Sequence, residues 1–146
     1  MSDITIREIT LTDYDSAALC LIDAFKKQPW NEVWTYNQAY TRIEEIMASK
    51  MARGHVIIQN STVKGMCLGH IMTYKNFKEL FIHEFSVHPS LQSKGQGSQL
   101  LDTVKETLKQ EQVGGLVLNT RRDSPARSFY EKNGFKIEEP IVMMSC

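Results

Sequence analysis

No charge of either sign is in surplus in this 146-residue chain: seventeen Lys and Arg stand against seventeen Asp and Glu. A nucleic-acid-binding domain usually carries a basic excess or patch, so a nucleic acid is not an expected partner. No apolar run approaches the ~20 residues that span a bilayer, and the N-terminus lacks the apolar region of a signal peptide, so no membrane association is expected. Cysteine is scarce. Cys20, Cys67 and Cys146 are odd in number, widely spaced and without metal-type pairing, which fits a reduced, cytoplasmic compartment. Repeats, low-complexity tracts and linker-like stretches are also missing. What remains is a 42% hydrophobic chain, long enough for residues 1–146 to form one globular domain with a real core.

The apolar spacing predicts the elements. Ile4, Ile6 and Ile9 suggest a strand over Ile4–Ile9. Asp13 is placed to cap a helix running to about Lys27, with Ala17, Ala18, Leu21, Ile22 and Phe25 as its buried stripe. A second helix is expected over Asn37–Ser49, then strands at His55–Gln59, Met66–Tyr74 and Leu80–Val87. Leu100, Leu101, Val104 and Leu108 mark an amphipathic helix starting near Gln96. A short strand at Leu116–Asn119 precedes a helix over Ala126–Lys132, opened by Pro125 and stopped by Gly134. Strands at Phe135–Ile137 and Ile141–Met144 are expected to close the chain. The order β-α-α-β-β-β-α-β-α-β-β describes an α/β fold, a mixed sheet flanked by helices.

The stretch Gln92-Ser93-Lys94-Gly95-Gln96-Gly97 lies between a strand and a helix start. Unpaired N–H groups and the helix dipole make such a turn a cradle for phosphate. A nucleoside-triphosphate loop requires Gly-Lys-Ser/Thr, but Ser98-Gln99 follow Gly97. A dinucleotide fingerprint requires a third glycine where Leu100 stands. Both nucleotide readings fail. A zinc reading of His83 and His88 fails too, because they are five apart on a predicted strand and face opposite ways, while His55 and His70 are isolated.

The segment Phe85–Leu101 closely resembles the acetyl-CoA-binding segment of the GCN5-related N-acetyltransferase (GNAT) superfamily, whose Gln/Arg-x-x-Gly-x-Gly/Ala signature is matched by Gln92, Gly95 and Gly97. Phe129-Tyr130-Glu131-Lys132-Asn133-Gly134-Phe135 resembles the family's later Phe-Tyr-x-Lys-x-Gly-Phe block. Two positions depart from the pattern. Gln96 stands where an aliphatic residue is common, and Asp123 where Asn is common, and Asp cannot donate as Asn does. The resemblance implies two splayed parallel strands, Leu80–Val87 and Leu116–Asn119, holding acetyl-CoA as co-substrate. Backbone groups of Phe85, Ser86 and Val87 would pair with the pantetheine, and the N–H groups of Ser93, Lys94, Gly95, Gln96, Gly97 and Ser98 would face the pyrophosphate. Asn119, Asp123, Ala126, Phe129 and Lys132 complete the implied cofactor contacts.

The chemistry implied is direct attack of an amine on the thioester. Tyr130, at the family's tyrosine position, is the candidate acid for the departing thiolate. Glu84, a carboxylate in a mostly apolar or small strand, is the candidate base, directly or through water. Strand alternation puts Glu84 and Ser86 on one face and His83, Phe85 and Val87 on the other, with His83 a further candidate base. Phe25, Trp30, Asn31, Trp34 and Tyr36, with Glu84, are candidate acceptor-binding residues, and an aromatic wall with Glu32 nearby suits a small cationic amine. Similar Pro-Trp-x-x-x-Trp segments occur in aminoglycoside-acetyltransferase-like relatives. A non-catalytic acyl-CoA sensor and a protein lysine or N-terminal acetyltransferase are the alternatives. The resemblance also implies a homodimer, with Ile141–Met144 placed to pair across a two-fold axis.

Overall fold

The computed structural model describes residues 3–146; Met1 and Ser2, within the expected domain 1–146, lie outside the described residues. Its elements in chain order are β1 (Ile4–Glu8), α1 (Tyr14–Lys26), α2 (Tyr36–Met47), β2 (Ala52–Gln59), β3 (Thr62–Tyr74), β4 (Phe77–Val87), α3 (Gln96–Lys109), β5 (Gly115–Leu118) and α4 (Pro125–Lys132). The sheet runs β1-β2-β3-β4-β5, antiparallel up to β4 and parallel between β4 and β5.

Each face of the sheet has its own core. Ala17, Leu21, Ala39 and Ile43 from α1 and α2 cover Val56, Met66 and Leu68 on one side. Leu100, Leu101, Val104 and Leu108 from α3 cover Ile57, Cys67, Leu80 and Ile82 on the other. Residues 65–69 of β3 are buried on both faces and read as a continuous run of small and apolar residues, whereas burial along β4 alternates. The α3 helix begins at Gln96, where its amphipathic pattern and the preceding glycine place it. No described helix is long and apolar enough to cross a membrane.

Two local expectations are corrected. Asp13 does not cap α1 with its side chain. Its carboxylate instead accepts from the Thr10 N–H at 2.8 Å and pairs with both terminal nitrogens of Arg7, which holds its pKa down at about 2. The expected closing strands at Phe135–Ile137 and Ile141–Met144 do not form among the described residues. Pro140 removes a ladder donor between them, and the Ile141 N–H bonds back to the Glu138 carbonyl at 3.0 Å, so the chain turns where a strand would have to run. Met143 and Met144 are each 85% exposed.

The strand that carries the site is irregular. Between β3 and β4, Leu68 pairs with Glu84 while the next residue, Gly69, pairs with Ile82, leaving His83 as the extra residue of a β-bulge. The bulge switches the alternation: Leu80 and Ile82 face α3, and so do Phe85 and Val87. Glu84 and Ser86 turn toward α2, and His83 goes with them, stacking on His70 rather than joining Phe85 and Val87. Gly69 makes this possible, since a Cβ there would lie 2.2 Å from the Phe81 carbonyl oxygen.

His55 on β2 is buried, and its Nε2 has no hydrogen-bond partner. Burial lowers its pKa below the ordinary value, so it is held neutral in the fold. The unfolded chain, with an ordinary His near pH 6.5, therefore binds this proton more readily than the native state. Stability from this residue is complete above about pH 6.5 and is lost as pH falls through the lowered native value. Thermal melts of His55→Leu and wild type at pH 7.5 and pH 5.5 should show a smaller acid-induced loss in the variant.

Candidate active site

The parallel ladder between β4 and β5 covers only Glu79–Ile82 against Gly115–Leu118. Beyond Ile82 the two strands part, because β5 ends at Leu118 while β4 continues to Val87. The gap opens into a cleft of about 1110 Å³, walled by Phe85, Ser86 and Val87 on one side and by Leu118, Asn119 and Thr120 on the other. Along this edge the β4 backbone beyond Ile82 has no strand partner, so its polar groups are available to an extended ligand.

One end of the cleft is the turn before α3. Ser93 and Gly95 both have positive φ, 63° and 81°, and Gln92 pins the turn by donating to the Val87 carbonyl at 2.9 Å. Gly95 is open, with nothing within 4 Å of where its Cβ would stand. Gly97 is different. A Cβ there would lie 2.9 Å from Cζ of Phe129, so this glycine exists for close packing of α3 against α4. Phe129 is in turn held by Phe85 and Tyr130, with ring centroids at 5.5 and 5.3 Å.

Tyr130 lines the middle of the cleft, packed edge-on to Phe85 and Phe135. Burial pushes its phenol well above the ordinary tyrosine pKa, with Cys67 and Glu84 adding to the effect, so it is protonated at neutral pH. Glu84 is 3% exposed. One of its oxygens accepts from Nε of Arg42 at 2.8 Å and the other from the Ser86 hydroxyl. Arg42 also donates to the His83 carbonyl at 2.6 Å, clamping the bulge from α2.

A protein-family model for the acetyltransferase (GNAT) family matches residues 17–135. This chain is a GNAT acetyltransferase. The family uses acyl-CoA, and the protein is an N-acetyltransferase. No curated protein matches it at the sequence level.

Solved structures share this fold over nearly their whole length. A transcriptional regulator from Bacillus halodurans C-125 is 24% identical, with a TM-score of 0.77, over 99% of this chain and 100% of that one. A GNAT family acetyltransferase from Staphylococcus aureus is 19% identical, with a TM-score of 0.76, over 100% of both chains. The aminoglycoside N-acetyltransferase AAC(6')-Iy, solved in complex with CoA, is 16% identical, with a TM-score of 0.78, over 100% of this chain and 96% of that one.

The GNAT cleft brings together most of the residues singled out in the sequence. Glu84, Phe85, Ser86, Val87, Gln92, Ser93, Gly95, Gly97, Ser98, Asn119, Ala126, Phe129 and Tyr130 line it, and Phe25 and Trp30 form its far wall. Lys94, Gln96, Asp123 and Lys132 lie off its walls. Asp123 is exposed and pairs with Arg121 at 3.3 Å. Asn31, Trp34 and Tyr36 also lie outside it: Tyr36 bonds to Asp15, and the Trp34 indole N–H donates to Glu32 at 3.0 Å. His88 serves the turn after β4, contacting Ser90 and Asp23 at 2.8 and 3.1 Å.

Arg42 was not legible as a site residue, because on α2 it reads as one more solvated polar position. The signal that finds it is the buried Glu84, which requires a cation from a neighbouring element.

The Gly97–Phe129 contact yields a test. Gly97→Ala should overpack the α3–α4 junction and cost about 1–3 kcal/mol of stability. It should also weaken CoA binding measured by calorimetry. Phe129→Leu in the same chain should recover most of the lost stability.

Proposed function

We propose that the protein moves an acetyl group from acetyl-CoA to the nitrogen of a small primary amine by direct attack within a ternary complex. The observation that carries this reading is the parting of β4 and β5 beyond Ile82, with Tyr130 and Glu84 both on the cleft it creates. The pantetheine arm lies along Phe85, Ser86 and Val87 and takes hydrogen bonds from their backbone. The pyrophosphate rests over the N–H groups of the turn from Ser93 to Ser98, with Lys94, Gln96, Asp123 and Lys132 as outlying contacts. Asn119, Ala126 and Phe129 flank the donor.

The acceptor enters the cleft past Phe25 and Trp30, whose rings pack edge-on at 5.7 Å and line it together. Their faces suit the ammonium of a small cationic amine. Trp34, Asn31 and Tyr36 lie outside the cleft and shape its approach at most.

An alkyl-ammonium with a pKa of about 10.4 must lose a proton before it attacks. Glu84 takes that proton through a water, since each carboxylate oxygen keeps a lone pair beyond its contacts with Arg42 and Ser86. The amine nitrogen then bonds to the thioester carbon, the C–S bond breaks, and Tyr130 protonates the leaving thiolate. The nitrogen returns a proton to Tyr130, so one proton is released per turnover.

Free-thiol release from acetyl-CoA, measured against polyamines, aminoglycosides, amino acids and peptides, tests the reaction and its acceptor class. Acetyl-CoA should also raise the melting temperature, and no shift at saturating donor rejects it as the co-substrate. Tyr130→Phe should lower kcat about 100-fold with little change in donor affinity, the scale expected for removal of a general acid. Unchanged turnover removes Tyr130 from the acid role.

A further inference from the structure

The bulge on β4 brings together two histidines that strand alternation would have kept apart. His83 Nε2 lies 2.7 Å from Nδ1 of His70 on β3, and the two rings stack with centroids 4.6 Å apart. Phe81 closes the other side of His83 at 5.0 Å. His83 lines the cleft, whereas His70 does not. Among the described residues, neither His83 Nδ1 nor His70 Nε2 has a protein hydrogen-bond partner. The pair therefore has one free ring nitrogen at each end, with a single shared hydrogen bond between them.

Glu84 creates the need for such a pair. It is almost fully buried and engaged by Arg42 and Ser86, and it meets water only on the side of the cleft, whose wall it shares with His83. Its neighbour in sequence is His83.

We propose that His83 and His70 form the proton exit of the active site, a reading that rests on the acetyl-transfer chemistry above. The proton that Glu84 takes from the ammonium passes on through cleft water to His83 Nδ1. His83 releases its Nε2 proton to His70 Nδ1, and His70 releases its Nε2 proton to solvent. One proton enters and one leaves, matching the one released per turnover. His83 is the relay on the cleft side, and His70 positions it and receives its proton.

The charged and titratable groups around His83 are Arg42 from α2, His70 from β3 and Glu84 on its own strand, with Arg121 and Tyr130 across the cleft. Burial, His70 and Arg42 together lower the His83 pKa, so the resting ring is neutral and a proton passed to it is readily handed on.

The test uses the full chain with acetyl-CoA and whichever amine of the panel turns over fastest. His83→Gln should lower kcat roughly 100-fold, remove the acid limb of the pH–rate profile, and leave the acetyl-CoA KM within about twofold. His70→Asn keeps an oxygen acceptor near the Nδ1 position but cannot pass a proton on. It should therefore lower kcat about tenfold, with recovery on adding imidazole to the buffer. A His83→Gln enzyme with wild-type kcat and an intact acid limb overturns the proposal, as does a His70→Asn enzyme at the wild-type rate. The pairing can also be read without turnover. In NMR titrations of the folded protein, His70→Asn should move the titration of His83, and an unmoved titration overturns the proposal even if no acceptor is found.

Discussion

The approach of the Phe81 carbonyl to Gly69 is the constraint on which the functional half of the molecule depends. Only a residue without a side chain lets β3 and β4 come this close, and that closeness forces the extra residue, His83, into β4. A regular ladder would have sent Glu84 to the same face as Leu80 and Ile82, into the apolar core under α3. The bulge rotates it toward α2 instead, where Arg42 meets it, and leaves Phe85 and Val87 to complete the α3 side. A single backbone contact thus sorts a charged residue from an apolar pair on adjacent positions of one strand.

Two further contacts turn this strand into a working surface. Arg42 joins α2 to both Glu84 and the His83 carbonyl, so the bulge and the buried carboxylate are held by one guanidinium. Arg42 makes these contacts from two different nitrogens of its planar fork, a fixed geometry that the single ammonium of Lys does not reproduce. On the opposite side, the missing side chain of Gly97 lets Phe129 lie against α3, and Phe129 touches both Phe85 and Tyr130. The turn proposed to hold the pyrophosphate and the proposed acid are therefore parts of one packed unit.

Much of this was legible in the chain. The start of α3 at Gln96 was readable because a glycine turn and a helical apolar stripe meet there, and both signals are local. The parting strands were implied only by the resemblance of that segment and of the Phe129–Phe135 block to the GNAT family. The bulge was not readable, since it depends on which residues of β3 and β4 face each other, a long-range register that no local pattern encodes. With it went the facing of His83. The aromatic cluster at 30–36 divides: Trp30 lines the cleft, whereas Trp34 is tied to Glu32 and Tyr36 to Asp15 outside it, local and long-range contacts that ring content alone does not encode. The expected closing strands have apolar residues of the right composition but no ladder to join among the described residues.

The shortness of β5 carries a consequence of its own. A paired strand advances about 3.3 Å per residue, so the point at which a ladder stops acts as a ruler. Were Asn119 and Thr120 to continue the pairing, the zipper would run some 7 Å further up β4 and shut the floor of the cleft. The capacity of this molecule to hold a second reactant is thus set by strand length rather than by any cavity carved from the core. Lengthening the ladder would seal it without altering a single lining side chain.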